Sequence, residues 1–149
     1  MIFLLFNQNQ KREIIMKHYL EPKFKVSNDV KFKNETKKYG ESCGDFLVIE
    51  PHFDQNKLVD IKFKGEGCAF FIASTDILCD WLLNNTFEQY TNKIAIYEKL
   101  LTGKTLSDEE QNLLGELMVF DNVKLHHNRL NCCMMLPRLL IKKFEDAQN

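Results

Sequence analysis

The residues of this sequence best suited to chemistry are Cys43, Asp45, Cys68 and Cys132. One residue separates Cys43 from Asp45, so in an extended segment both side chains point to the same side. Gly44 between them lets the backbone take a positive φ. Gly65-Glu66-Gly67-Cys68 lies where a strand gives way to a helix, and its glycines permit a tight turn. A thiolate at a helix N-terminus is stabilised by the dipole. Cys132 is expected to open the last helix and to benefit in the same way. Three thiolates and one carboxylate are enough to close a tetrahedral zinc site. The chain has no C-x-x-C pair, so spacing alone leaves unrelated buried cysteines as the competing reading.

At 149 residues the chain is read as a single domain, residues 1–149. A domain of that size buries roughly 68–70% of its unfolded surface. Hydrophobic residues make up 44% and charged residues 28%, an ordinary globular balance. The net charge of -1 gives no global attraction to nucleic acid. Lysines at 17, 23, 25, 31, 33, 37 and 38 make the early chain basic. Asp108, Glu109, Glu110, Glu116 and Asp121 make a later stretch acidic, and both stretches read as solvated faces. The apolar opening from Met1 to Phe6 is too short for a membrane span or a signal-peptide core. Residues 1–9 are therefore read as a frayed start or an extra helical turn. With no apolar window long enough to span, neither membrane nor nucleic acid is expected as a partner, and the expected location is the cytoplasm. Five cysteines, an odd number, favour metal or thiol chemistry over disulfides in a reducing compartment.

The elements that must position these residues follow from periodicity. Ile14, Ile15, His18 and Tyr19 predict a helix over 9–20, stopped by Pro22. A short strand is expected at Asp29–Lys33, then strands at Phe46–Ile49 and Leu58–Phe63 joined by a turn at Asp54-Gln55-Asn56. In the last strand, alternation puts Val59, Ile61 and Phe63 on one face and Asp60, Lys62 and Lys64 on the other. From Cys68 the period becomes helical, with Phe70, Ile77, Leu78, Trp81 and Leu82 inward. Thr86 with Gln89, and Ser107 with Glu110, have capping-box spacing and open two further helices. A last helix is expected over 132–146, kinked or shortened by Pro137. Strands first and helices afterward describe an α+β domain: a small antiparallel sheet with helices packed on one face.

Three segments in order, Cys43-Gly44-Asp45, Lys62 to Asp76 and Arg129-Leu130-Asn131-Cys132, resemble the SufU/IscU/NifU N-terminal family of iron–sulfur cluster assembly proteins. The helix around Ile14 to Tyr19, followed by Pro22, is similar to the family's opening element. The resemblance covers residues 10–146. It implies a three-stranded antiparallel sheet packed by helices, with metal ligands at Cys43, Asp45, Cys68 and Cys132. Asn131 stands where the IscU type has His, and Asp121-Asn122-Val123-Lys124 lacks that type's double proline. An insertion over 103–125 and Arg129 before the last cysteine are similar to the SufU type. That resemblance implies tight zinc binding and sulfur relay. Persulfide sulfur would come from a pyridoxal-phosphate-dependent cysteine desulfurase, whose His displaces one thiolate from the zinc. Cys43 is nominated by analogy as the persulfide acceptor, and the sulfur would pass to a downstream scaffold or apo-protein acceptors. Arg129 would offset ligand charge or contact the partner. The alternative is a scaffold on which a [2Fe–2S] cluster is assembled, with iron or the cluster at the same site; a third reading is a purely structural zinc domain. Gly40-Glu41-Ser42 replaces the family's Asn-Pro, Pro137 replaces a large aromatic, and Cys133 is an extra thiol.

Other candidates are weaker. Cys133 and Cys79 read as core or bystander thiols, His18 and His52 as surface or capped residues, and Met134 and Met135 as core. His126 and His127 precede the last helix as minor ligand candidates.

Overall fold

The computed structural model describes residues 6–33, 37–39 and 45–148. Helix α1, Gln8–Leu20, opens with an Asn7/Gln10 capping box. Strands β1 (Lys37–Tyr39), β2 (Phe46–Asp54) and β3 (Lys57–Glu66) follow. Then come α2 (Ala69–Leu82), α3 (Phe87–Leu101) and α4 (Asp108–Leu114). Two 3-10 turns, Gly115–Phe120 and Val123–Leu125, lead into α5 (His127–Gln148).

The β2–β3 hairpin dominates the sheet. Gln55 and Asn56, both at positive φ, make its turn, a conformation asparagine tolerates well. β1 adds only three residues, paired antiparallel with Phe46–Val48. The expected three-stranded sheet is thus reduced to a long two-stranded hairpin with a short margin. Asp29–Lys33, expected as a strand, forms turns and irregular backbone instead. The opposite edge of β3 is covered: Val26 N–H donates to the Phe63 carbonyl at 2.8 Å, and Phe63 N–H to Phe24 at 3.1 Å. Covering that edge removes a template for pairing with other chains.

The strand alternation fails at one position for an identifiable reason. His52 pairs with Asp60 but Phe53 pairs with Leu58, so Val59 is an extra residue, a β-bulge. Val59, expected inward, is 44% exposed, and Leu58 is buried in its place. Beyond the bulge Ile61 and Phe63 face the core as expected.

Helices cover the hairpin's inner face, with α2 at the centre of the core. From Phe71 to Cys79 every α2 residue is buried, polar Ser74, Thr75 and Asp76 included. α5 packs on α2 and β2, beginning at His127 rather than at 132. Its Pro137 lacks the N–H that would bond the Cys133 carbonyl. The Tyr97 hydroxyl, from α3, donates to that carbonyl at 3.0 Å. Tyr90 likewise donates to the Pro137 carbonyl at 2.5 Å. Both tyrosines are fully buried, and burial raises both phenol pKa values. The proline's cost is thereby taken up by a side chain of the neighbouring helix.

The acidic stretch is not only solvated. Lys11 of α1 binds Asp121 at 2.7 Å, and His18 bridges buried Asp76 (2.7 Å) and Glu116 (3.2 Å). Nothing in the sequence pattern marks His18 as this joint between α1, α2 and the stretch around Glu116.

Replacing Tyr97 by Phe leaves the Cys133 carbonyl without that donor. The expected loss is about 1–2 kcal/mol of unfolding free energy, measured by urea denaturation. Pro137→Ala in that background restores a helical N–H and should return part of it, a non-additive pair.

Candidate metal centre

Asp45 immediately precedes β2 and is 3% exposed. Cys68 is the N-cap of α2, with no side-chain capping bond, and its thiol is exposed. Cys132 is buried in the second turn of α5. Because α5 starts earlier than expected, Cys132 lies past the first-turn amides, and the dipole argument holds for Cys68 alone.

These three side chains converge. The Cys132 thiol donates to Asp45 Oδ2 at 3.2 Å and lies 3.9 Å from Cys68 Sγ. One ligand atom from each lies within 4.8 Å of the others. Two thiolates on a tetrahedral zinc, at bonds of about 2.3 Å, would stand about 3.8 Å apart. The residues therefore fit a metal ion in donor type and in spacing. Cys43, Gly44 and the Gly40-Glu41-Ser42 segment lie outside the described residues, as does the apolar opening Met1–Leu5.

The glycines of this site act by leaving room rather than by turning the chain. β3 continues through Gly65 to Glu66. A Cβ on Gly65 would collide with the Phe46 carbonyl oxygen. A Cβ on Gly67 would stand 2.5 Å from Asp45 Oδ1 and strike the Phe71 ring. Bare backbone at these positions lets the end of β3 close against Asp45.

Arg129, from the first turn of α5, is exposed and lays its guanidinium 4.3 Å from the Phe70 ring centroid, two residues past Cys68. Phe70 in turn packs against Phe120 of the first 3-10 turn, with centroids 6.2 Å apart. Arg129 thus flanks the site's mouth, and its positive charge acts to lower the Cys133 pKa. Burial outweighs that: the Cys133 thiol is pushed up to about 12, chiefly by desolvation. Cys79 is buried and shifted upward for the same first reason. Met134 and Met135 are buried, whereas His52, His126 and His127 are exposed; none of the three belongs to the ligand group among the described residues.

The description "NifU-like N terminal domain" matches residues 10–133 of this chain. The chain belongs to that family. Relatives of this NifU-like domain include the zinc-dependent sulfurtransferase SufU of Bacillus subtilis (strain 168), 28% identical over 135 residues, covering 88% of this chain and 86% of that protein. The iron–sulfur cluster assembly scaffold protein IscU of Streptococcus pyogenes serotype M1 is 27% identical over 111 residues, 72% of this chain and 69% of that one. A crystal structure from Fervidobacterium islandicum AW-1, described as an iron–sulfur cluster assembly scaffold for the SUF system, superposes with TM-score 0.69. It is 30% identical, over 89% of this chain and 92% of its own.

In this NifU-like domain, Gly67→Ala should push Asp45 out of register with the two thiols. Zinc affinity is expected to fall about 10–100-fold, read by competition with a chromophoric chelator, while the thermal transition stays cooperative. Cys133 supplies a second test. In the metal-free protein at pH 8, iodoacetamide should label Cys68 and spare Cys133, as mapped by mass spectrometry. The folded thiol keeps its proton from 9.0 up to about 12, where the unfolded one releases it. Unfolding therefore releases a proton in that window, and this group's contribution makes stability fall as pH rises through it.

Proposed function

We propose that this protein is a zinc-dependent sulfur relay of iron–sulfur cluster biogenesis, working in the cytoplasm, where thiols stay reduced. A pyridoxal-phosphate-dependent cysteine desulfurase is its sulfur donor, and downstream scaffolds or apo-proteins are its acceptors. The observation that carries this reading is the one-sided site: Asp45 and Cys132 are buried while the Cys68 thiol is exposed. The name of the Bacillus subtilis relative supports it. Cys43, Asp45, Cys68 and Cys132 would hold the zinc, which when bound keeps thiols deprotonated at neutral pH.

The chain's own residues divide the work. Asp45 and Cys132 anchor the site, because neither is reachable without opening the core. Cys43 is the acceptor: its thiolate attacks the outer sulfur of the donor's persulfide, the donor S–S bond breaks, and the donor cysteine leaves as thiolate. A persulfide then stands on Cys43. Arg129 at the mouth offsets negative charge as the donor approaches.

A second reading, a scaffold that receives a [2Fe–2S] cluster as cargo, draws support from the Streptococcus pyogenes relative's name and from the thiolate-rich donor set. Desulfurase turnover with and without the protein, zinc-loaded and zinc-stripped, separates the two. The relay predicts stimulation by the zinc-loaded form alone, and equal stimulation by the stripped form would sink it. Cys43→Ala should accept no persulfide. A persulfide mapped to Cys68 in that variant would move the acceptor role to the exposed thiol.

A further inference from the structure

On the side of α5 away from Cys132, a groove of about 600 Å³ runs between α3 and α5. Ile94 of α3 and Met134, Pro137 and Ile141 of α5 give it an apolar lining. Lys104 and Arg138, both exposed, stand on its rim, and Glu98 is the carboxylate of its described lining. α4 borders it, because Lys99 of the groove wall binds Glu110 of α4 at 2.8 Å. The free side of α4 has the complementary character. Asp108 and Glu109 are exposed, and Leu113, one turn beyond Glu109, is a large apolar side chain at 42% exposure.

We propose that two copies of this chain associate through this face, α4 of each copy seated in the α3–α5 groove of the other. Leu113 enters the apolar lining, while Asp108 and Glu109 meet Lys104 and Arg138 of the partner copy. α4 adjoins the groove wall through the Lys99–Glu110 pair, so a two-fold axis through this region brings each α4 toward the other copy's groove. Such an isologous contact closes at two copies and builds no filament. Apolar contact supplies adhesion, and the charge pairs fix the register and make association salt-sensitive. Cys68 stays exposed in this arrangement, since Cys132 and the groove residues occupy different sides of α5. The dimer is independent of the sulfur-relay reading.

Sedimentation equilibrium of the zinc-loaded 149-residue chain at about 1–100 µM tests it, the range in which modest interfaces dissociate. A monomer–dimer equilibrium that weakens in high salt is expected. Glu109→Lys and Arg138→Glu should each raise the dissociation constant about tenfold, and the two together should restore it. Arg138 also bonds Asn131 at 3.2 Å, beside Cys132. Zinc content is therefore measured on each variant, and Lys104→Glu provides a rim change without that contact. A protein monomeric throughout overturns the proposal, as does a dimer indifferent to these charges. Protection of the Ile94 and Ile141 amides from hydrogen exchange only when a desulfurase is added assigns the groove to another protein and overturns it too.

Discussion

A buried carboxylate beside a buried thiol is costly unless each finds a partner, and the site depends on the backbone that makes this possible. Gly65, near the end of β3, presents no Cβ to the Phe46 carbonyl, and Gly67, just past the strand, presents none to Asp45, so the chain passes close to both. Asp45 can then turn toward Cys132, and Cys68 arrives at the head of α2 one residue later. A Cβ at Gly65 or Gly67 would push against Phe46, Asp45 or Phe71, where the hairpin and α2 meet beside the ligand group.

The helical layer is fitted around that junction. α2 carries Cys68 at its N-cap and lies buried along most of its length, so the exposed Cys68 stands at the tip of a core helix. α5 carries Cys132 and tolerates Pro137 because Tyr97 reaches across to the carbonyl the proline leaves behind. Residues 103–125 flank the site: Phe120 backs Phe70, and Phe70 carries the Arg129 guanidinium. His18 and Lys11 tie this stretch to α1 and, through Asp76, to α2. It thus contacts both α1 and the flank of the site, although none of its described residues belongs to the ligand group.

Much of this was legible in local sequence. Helix starts at Thr86 and Ser107 follow from side-chain oxygens placed to meet free amides, an interaction complete within four residues. The turn at Gln55-Asn56 is similarly local. Alternation along β3 puts Val59 inward, but a bulge is set by pairing across the hairpin, which alternation along one strand does not contain. Apolar positions likewise place the start of α5 too late, because they mark its buried face while its first turn is exposed and polar.

By itself the sequence determined the α+β class, most element types and which residue types could serve as metal donors, because donor chemistry, capping and periodicity reside in short stretches of chain. Tertiary structure alone decided that Asp45, Cys68 and Cys132 meet, and that Cys68 is the exposed member while Cys132 is buried. It also decided that the glycines serve close approach rather than a turn. Those outcomes depend on the packing of β3, α2 and α5 against one another, contacts between residues up to 87 positions apart that no local pattern encodes.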